Sequence, residues 1–225
     1  MIMTNVKVIA VIAVSVIIVI GLGVSFSSYM NDFENSPKKS DDGSQYVELK
    51  KIQPLGSTSA PLTILEIGDY QCEMCKLWFD KTRPLIIENY VNTGKANLVF
   101  LDMPFLGNDS GPAAQATYCA DDQGMYWDYH VKLYQYQQHV DDGWANTERL
   151  SAIAFGLGLD IDEFNECMSS NKYFSHVNFN KKKSVTDFGA ISTPTFIIIG
   201  ADGEAKKLVG GHPYSTFEKT LNSLL

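Results

Sequence analysis

Two cysteines separated by two residues, Cys72-Glu73-Met74-Cys75, are the part of this chain whose spacing could do chemistry. They follow a short apolar run and the turn Asp69-Tyr70-Gln71, where a helix should begin. Backbone N–H groups in the first turn of a helix have no partner within it, so they stabilise an anion. A thiol placed there ionises more readily, and the thiolate is the form that attacks a disulfide. Cys75 lies one helical turn deeper on the same face. It can close a disulfide with Cys72 or resolve a mixed disulfide formed on it. Two other uses compete. Half of a zinc site needs a second ligand pair at matching spacing, whereas Cys119 and Cys167 stand alone and His130, His139, His176 and His212 are scattered. A purely structural disulfide would leave the helix terminus unused.

Two further residues bear on the same chemistry. Glu66 stands in the apolar run, six positions before Cys72. Carboxylates are rarely buried without a reason. Beneath the cysteines its pKa would rise by desolvation, and it could exchange a proton with Cys75. The alternative is an edge-strand glutamate facing solvent. Thr193-Pro194 opens another apolar run, in Ile191-Ser192-Thr193-Pro194-Thr195-Phe196. A proline there is a candidate cis bond, whose loop would offer backbone groups to an incoming peptide beside Cys72. An ordinary trans proline that breaks the strand is the alternative.

These groups need a scaffold, and hydrophobic periodicity outlines one. Residues 63–67 and 96–101 read as buried strands. Residues 72–92 read as one helix closed by Gly94, with Leu77, Trp78, Leu85, Ile86 and Tyr90 at helical spacing and a kink at Pro84. The pattern is helical from 107 to 187, with breaks at Gly124, at Asp141-Asp142-Gly143 and at Gly156-Leu157-Gly158. Residues 195–199 and 205–209 form a hairpin around Ala201-Asp202-Gly203, and 214–225 an amphipathic helix. The order is β-α-β, a helical block, then β-β-α. This predicts an α/β fold: a central mixed sheet with helices on both faces.

The chain has 225 residues, a net charge of −8, and Lys181-Lys182-Lys183 as its only basic run. That run reads as a solvated helix face, and the charge argues against nucleic-acid binding, which needs clustered cations. Nothing in the sequence calls for a cofactor or a bound metal. Residues 1–30 contain an uncharged apolar run from Val8 to Phe26, roughly 28 Å long as a helix and close to the thickness of a bilayer core. An uncleaved single-pass signal anchor is favoured over a cleaved signal peptide, because Ser25-Phe26-Ser27 is a poor cleavage site. Lys7 before the run, with Asp32 and Glu34 after it, places the N-terminus in the cytoplasm. Residues 31–45 read as a flexible linker, and 46–225 as the folded domain. Cys119 and Cys167 lie on predicted helices. In an oxidising compartment they are expected to pair as a structural disulfide, with two separate buried thiols as the alternative.

Taken in order, several segments resemble the DsbA-like thiol–disulfide oxidoreductases. They are Leu65-Glu66-Ile67-Gly68-Asp69-Tyr70-Gln71-Cys72-Glu73-Met74-Cys75, then residues 113–120 and 123–130, then Gly158-Leu159-Asp160 with Phe164-Asn165-Glu166-Cys167. The series ends with Gly189-Ala190-Ile191-Ser192-Thr193-Pro194-Thr195-Phe196 and Gly210-Gly211-His212-Pro213-Tyr214. The resemblance implies a thioredoxin-like fold with an inserted α-helical domain at about 107–187. It implies that Cys72 is the nucleophile, Cys75 the resolving thiol, Glu66 the buried acid and Pro194 cis. Glu73-Met74 departs from the Pro-His pair common in the oxidising members, and Glu73 would oppose an adjacent thiolate.

The function expected on this basis is insertion of disulfides into thiol-containing exported proteins outside the cytoplasm. The expected reoxidant is a membrane quinone reductase of the DsbB or VKOR type. A disulfide reductase or isomerase would use the same residues, and a copper- or zinc-delivery protein the same thiols.

Overall fold

The computed structural model describes residues 54–225. The signal anchor and linker expected at 1–45 lie outside the described residues. Among those described, no helix is long and apolar enough to cross a membrane.

Four strands form one sheet: β1 (Leu62–Gly68), β2 (Ala96–Asp102), β3 (Thr195–Ile199) and β4 (Ala205–Val209), in the order β2-β1-β3-β4. β1 runs parallel to β2 and antiparallel to β3, and β3 and β4 form the hairpin. β1 and β2 are buried along nearly their whole length, which is why they read as continuous apolar runs rather than alternating ones. β4 is the edge strand, and its exposure alternates.

The helix expected at 72–92 is divided. α1 (Glu73–Lys81) ends at Thr82, α2 (Arg83–Ile86) follows with Pro84 in its first turn, and a π-helical turn (Ile87–Val91) completes the run. Pro84 has no N–H for the Asp80 carbonyl, and its ring crowds that carbonyl, so the helix bends just ahead of it. The Thr82 hydroxyl donates to the His212 carbonyl at 3.1 Å and ties the bend to the loop before the last helix. The inward face also differs from the expected one. Trp78, Ile86 and Tyr90 are buried, but Leu77 and Leu85 are 46% and 39% exposed. Phe79 points inward instead.

Five helices form the insertion: α3 (Ser110–Asp121), α4 (Tyr126–Tyr136), α5 (Thr147–Gly156), α6 (Ile161–Ser169) and α7 (Phe174–Thr186). α8 (Tyr214–Asn222) closes the chain, with Phe217 and Leu221 buried. Two apolar cores result. One gathers Leu62, Ile64, Trp78, Ile86, Phe196 and Phe217 between the sheet and α1, α2 and α8. Trp78 sits against Phe196 and Phe217 with ring centroids at 4.7 and 5.7 Å. Truncating an aromatic packed this way costs roughly 3–5 kcal/mol. The second core joins Tyr70, Cys72, Cys75, Phe79 and Phe100 to the insertion through Tyr118, Tyr129, Leu133, Tyr134 and Trp144. α1 therefore lies between both cores, and its N-terminal end carries the cysteines.

Candidate active site

β1 ends at Gly68, where a Cβ would lie 2.5 Å from the Phe100 ring, so only glycine fits between strand and turn. The chain then turns through Asp69-Tyr70-Gln71. The buried Asp69 carboxylate accepts the Gln71 N–H at 2.9 Å through one oxygen, and the N–H groups of Phe105 and Leu106 at 2.8 and 3.1 Å through the other. The Cys72 N–H donates to the Asp69 carbonyl at 3.0 Å. The turn thus delivers Cys72 to the N-cap of α1 in an extended conformation (φ −79°, ψ 114°).

At that position the Cys72 sulfur accepts the Cys75 N–H at 3.3 Å, and its thiol donates to the Thr193 carbonyl at 3.4 Å. Both thiols are free. Cys72 retains 6% exposure and Cys75 none. The two therefore diverge electrostatically. Hydrogen bonding from Cys75, helped by the backbone N–H groups of Cys75 and Met74, pulls the Cys72 thiol down to about 6 against the opposing effect of burial. Burial pushes the Cys75 thiol well above its ordinary value, and the neighbouring Cys72 adds to the rise.

Glu66 lies in the central strand, opposite Phe100 of β2 and Phe196 of β3. It is 1% exposed, and its Oε1 has no hydrogen-bond partner, so it is not a solvent-facing edge residue. Burial lifts its carboxyl to about 8, opposed by the Arg83 guanidinium and reinforced by Cys72. The Arg83 guanidinium sits over the Phe79 ring at 5.1 Å. The Thr193–Pro194 peptide bond is cis, and β3, which follows it, pairs with β1. The structure thus brings Glu66, Cys72, Cys75, Thr193 and Pro194 together at one end of the central strands.

Cys119 of α3 and Cys167 of α6 form a disulfide remote in sequence from this cluster, with their Cα atoms 5.8 Å apart. Among the described residues, no three His, Cys, Asp or Glu side chains are grouped to hold a metal ion.

The turn Asp69-Tyr70-Gln71 was expected before the helix, but not the bonds its side chains make; Arg83 beside Glu66 and Gln137 beside Cys72 were not anticipated. The Asp69 bond to the N–H two residues on is an Asx-type turn and could have been read from Asp69-Tyr70-Gln71 before a helix start. Gln137 and Arg83 carry no comparable local signal.

The thioredoxin family profile matches residues 50–221. The chain is 31% identical over 165 residues to the probable disulfide bond formation protein D of Bacillus anthracis, covering 72% of this chain and 73% of that protein. Among solved structures, oxidised BdbD from Bacillus subtilis superposes with a TM-score of 0.70 at 23% identity, over 78% of this chain and 94% of that one. Wolbachia pipientis alpha-DsbA1 gives 0.68 at 23% identity, over 78% and 91%. These neighbours share the sheet with its helical insertion, and the sequence match carries the assignment further: the chain belongs to the DsbA-like thiol–disulfide oxidoreductases of the thioredoxin fold.

Proposed function

We propose that this chain is an oxidase that forms disulfides in exported proteins outside the cytoplasm, tethered through its N-terminal apolar segment with the N-terminus in the cytoplasm. The observation that carries this reading is the Cys72 sulfur at the N-cap of α1, accepting the Cys75 N–H at 3.3 Å. A thiolate stabilised there favours the reduced pair, so the Cys72–Cys75 disulfide readily accepts two electrons. The name of the Bacillus anthracis relative, disulfide bond formation, points the same way. The uncharged run from Val8 to Phe26 supports the location.

In the reaction, a substrate thiolate attacks the Cys72 sulfur of the oxidised pair. The Cys72–Cys75 bond breaks, and Cys75 leaves as a thiolate. With its proton affinity raised by burial, Cys75 takes a proton, which Glu66 would give. A second substrate thiolate attacks the substrate sulfur of the mixed disulfide, and Cys72 departs as the stabilised thiolate. The substrate is oxidised by two electrons, now held as the two enzyme thiols. A membrane quinone reductase of the DsbB or VKOR type would remove them. The Thr193 carbonyl, 3.4 Å from the Cys72 sulfur, and the Pro194 loop would hold the incoming peptide against Cys72.

The test is the reduction potential of the pair, measured against glutathione, together with oxidation of a reduced two-cysteine peptide. A potential near −120 mV with stoichiometric peptide oxidation is expected. A value near −270 mV would assign the same residues to a reductase. The exposed Glu73-Met74 pair makes that the second reading.

A further inference from the structure

The turn that presents Cys72 is held largely by the insertion. The Tyr134 hydroxyl of α4 donates to the Asp69 carbonyl at 3.4 Å. The Gln71 side chain donates to Ser110 Oγ at 3.0 Å and accepts the Asp141 N–H at 2.6 Å. Gln137, the residue that ends α4, places its amide nitrogen on two carbonyls of the turn at once, those of Tyr70 and Cys72, the latter at 3.2 Å. Both neighbours are acceptors, so only the NH2 end of the amide fits there. The Cys72 carbonyl also receives the Lys76 N–H at 3.0 Å, the bond that opens α1. One side chain from the insertion thus fixes the peptide planes on either side of the Gln71–Cys72 link.

We propose that Gln137 is a positioning residue for Cys72: its amide, supplied by the insertion, locks the Tyr70 and Cys72 carbonyls and so keeps the Cys72 sulfur over the first N–H groups of α1. This rests on the reading of Cys72 as the attacking thiol. Hydrogen bonds weaken steeply as their geometry degrades. A turn released from Gln137 would let the sulfur drift from the Cys75 N–H, and the thiolate would lose support. The titratable groups around Cys72 are Cys75 and the exposed Glu73 of α1, Glu66 of β1 and Tyr134 of α4. Replacing the uncharged Gln137 by another uncharged residue alters none of their charges, so a change in Cys72 titration reports geometry.

The experiment titrates the Cys72 thiolate by its ultraviolet absorbance in a full chain carrying Cys75→Ala, with and without Gln137→Met. Methionine keeps the length of the side chain and removes the donor. Gln137→Ala, tolerable at this half-exposed helix end, repeats the reading independently. Gln138→Met changes the exposed neighbour, which makes no bond to the turn. The expected result is a midpoint raised by about one pH unit in both Gln137 variants and unmoved in Gln138→Met. With Cys75 restored, the glutathione equilibrium of Gln137→Met should move about fivefold towards the disulfide at neutral pH. An unchanged midpoint on a parent that titrates low would overturn the positioning role alone, and so would an equal rise in Gln138→Met. A parent titrating at the free-thiol value of about 8.5 would overturn both the positioning role and the oxidase reading beneath it.

Discussion

The molecule holds two cysteine pairs in opposite chemical situations. Cys72 caps one helix and Cys75 lies in its first turn; both are free, and the Cys72 sulfur accepts the Cys75 N–H. Cys119 and Cys167 bridge two helices of the insertion across 48 positions, are buried, and are joined. No helix N-terminus stabilises a thiolate for the second pair, since Cys119 and Cys167 lie near the C-terminal ends of α3 and α6. The C-terminal end of a helix dipole disfavours an anion. The same element is therefore reactive or inert according to which end of a helix it occupies, and the distance along the chain decides what its bond does for the fold.

The sharpest way to break this contrast is to delete each pair in turn. Cys72→Ala should lower thiol–disulfide exchange on the order of a thousandfold or more and leave stability within about 1 kcal/mol. The double change Cys119→Ala with Cys167→Ala should do the reverse. Exchange should stay within about twofold, while the loop of 48 positions loses a cross-link worth about 4 kcal/mol in the chain-entropy account. Melting should then fall by roughly 10 °C. Chemical denaturation and exchange rates, measured on the same samples, decide it; a collapse of exchange in the double variant would erase the distinction between the pairs.

Glu66→Gln should have a smaller but two-sided effect. The folded carboxyl titrates near 8, above its ordinary 4.5, so the folded chain keeps that proton after the unfolded chain has lost it. Stability therefore falls as pH rises from about 4.5 through 8. The variant should match the parent below that window and exceed it above, by on the order of 4 kcal/mol. Exchange near neutral pH should slow by about a hundredfold, the low end of what general acid–base catalysis contributes. Parallel stability curves for the two chains from pH 4 to 9 would show that Glu66 is not a buried acid.

The smallest effect is expected at Glu73, which is exposed in the first turn of α1. Its charge acts on the neighbouring sulfur through water and salt, so Glu73→Gln should lower the Cys72 midpoint by no more than a few tenths of a pH unit. A drop of a full unit would mean that the dipeptide between the cysteines, rather than the helix end, governs the thiolate.

The order of elements along the chain, the helix start at Cys72 and the β-β-α ending were legible because each rests on local pattern: apolar runs, a turn, a hairpin signal. Glu66 was noticeable for a related reason, a carboxylate in a run that otherwise buries everything. The division of the helix at Thr82 was half visible. Pro84 announced a disturbance, but Leu77 and Leu85 stand at core-like spacing and are exposed, while Phe79 is buried. The grip of Gln137 on Tyr70 and Cys72 spans 67 and 65 positions. An amide bonds to whatever backbone meets it, so nothing in its own neighbourhood foretells the partner.

The carbonyl that faces the Cys72 sulfur belongs to Thr193, 121 positions further along the chain. During synthesis both thiols emerge long before the strand that guards them. Contacts of such high sequence separation form slowly, because the intervening loop must close first. Until β3 docks beside β1, the chain carries both thiols without the Thr193 carbonyl that faces Cys72, and the whole insertion must be made in between. Cys72 thus gains its full set of hydrogen-bond partners only when distant parts of the chain have met.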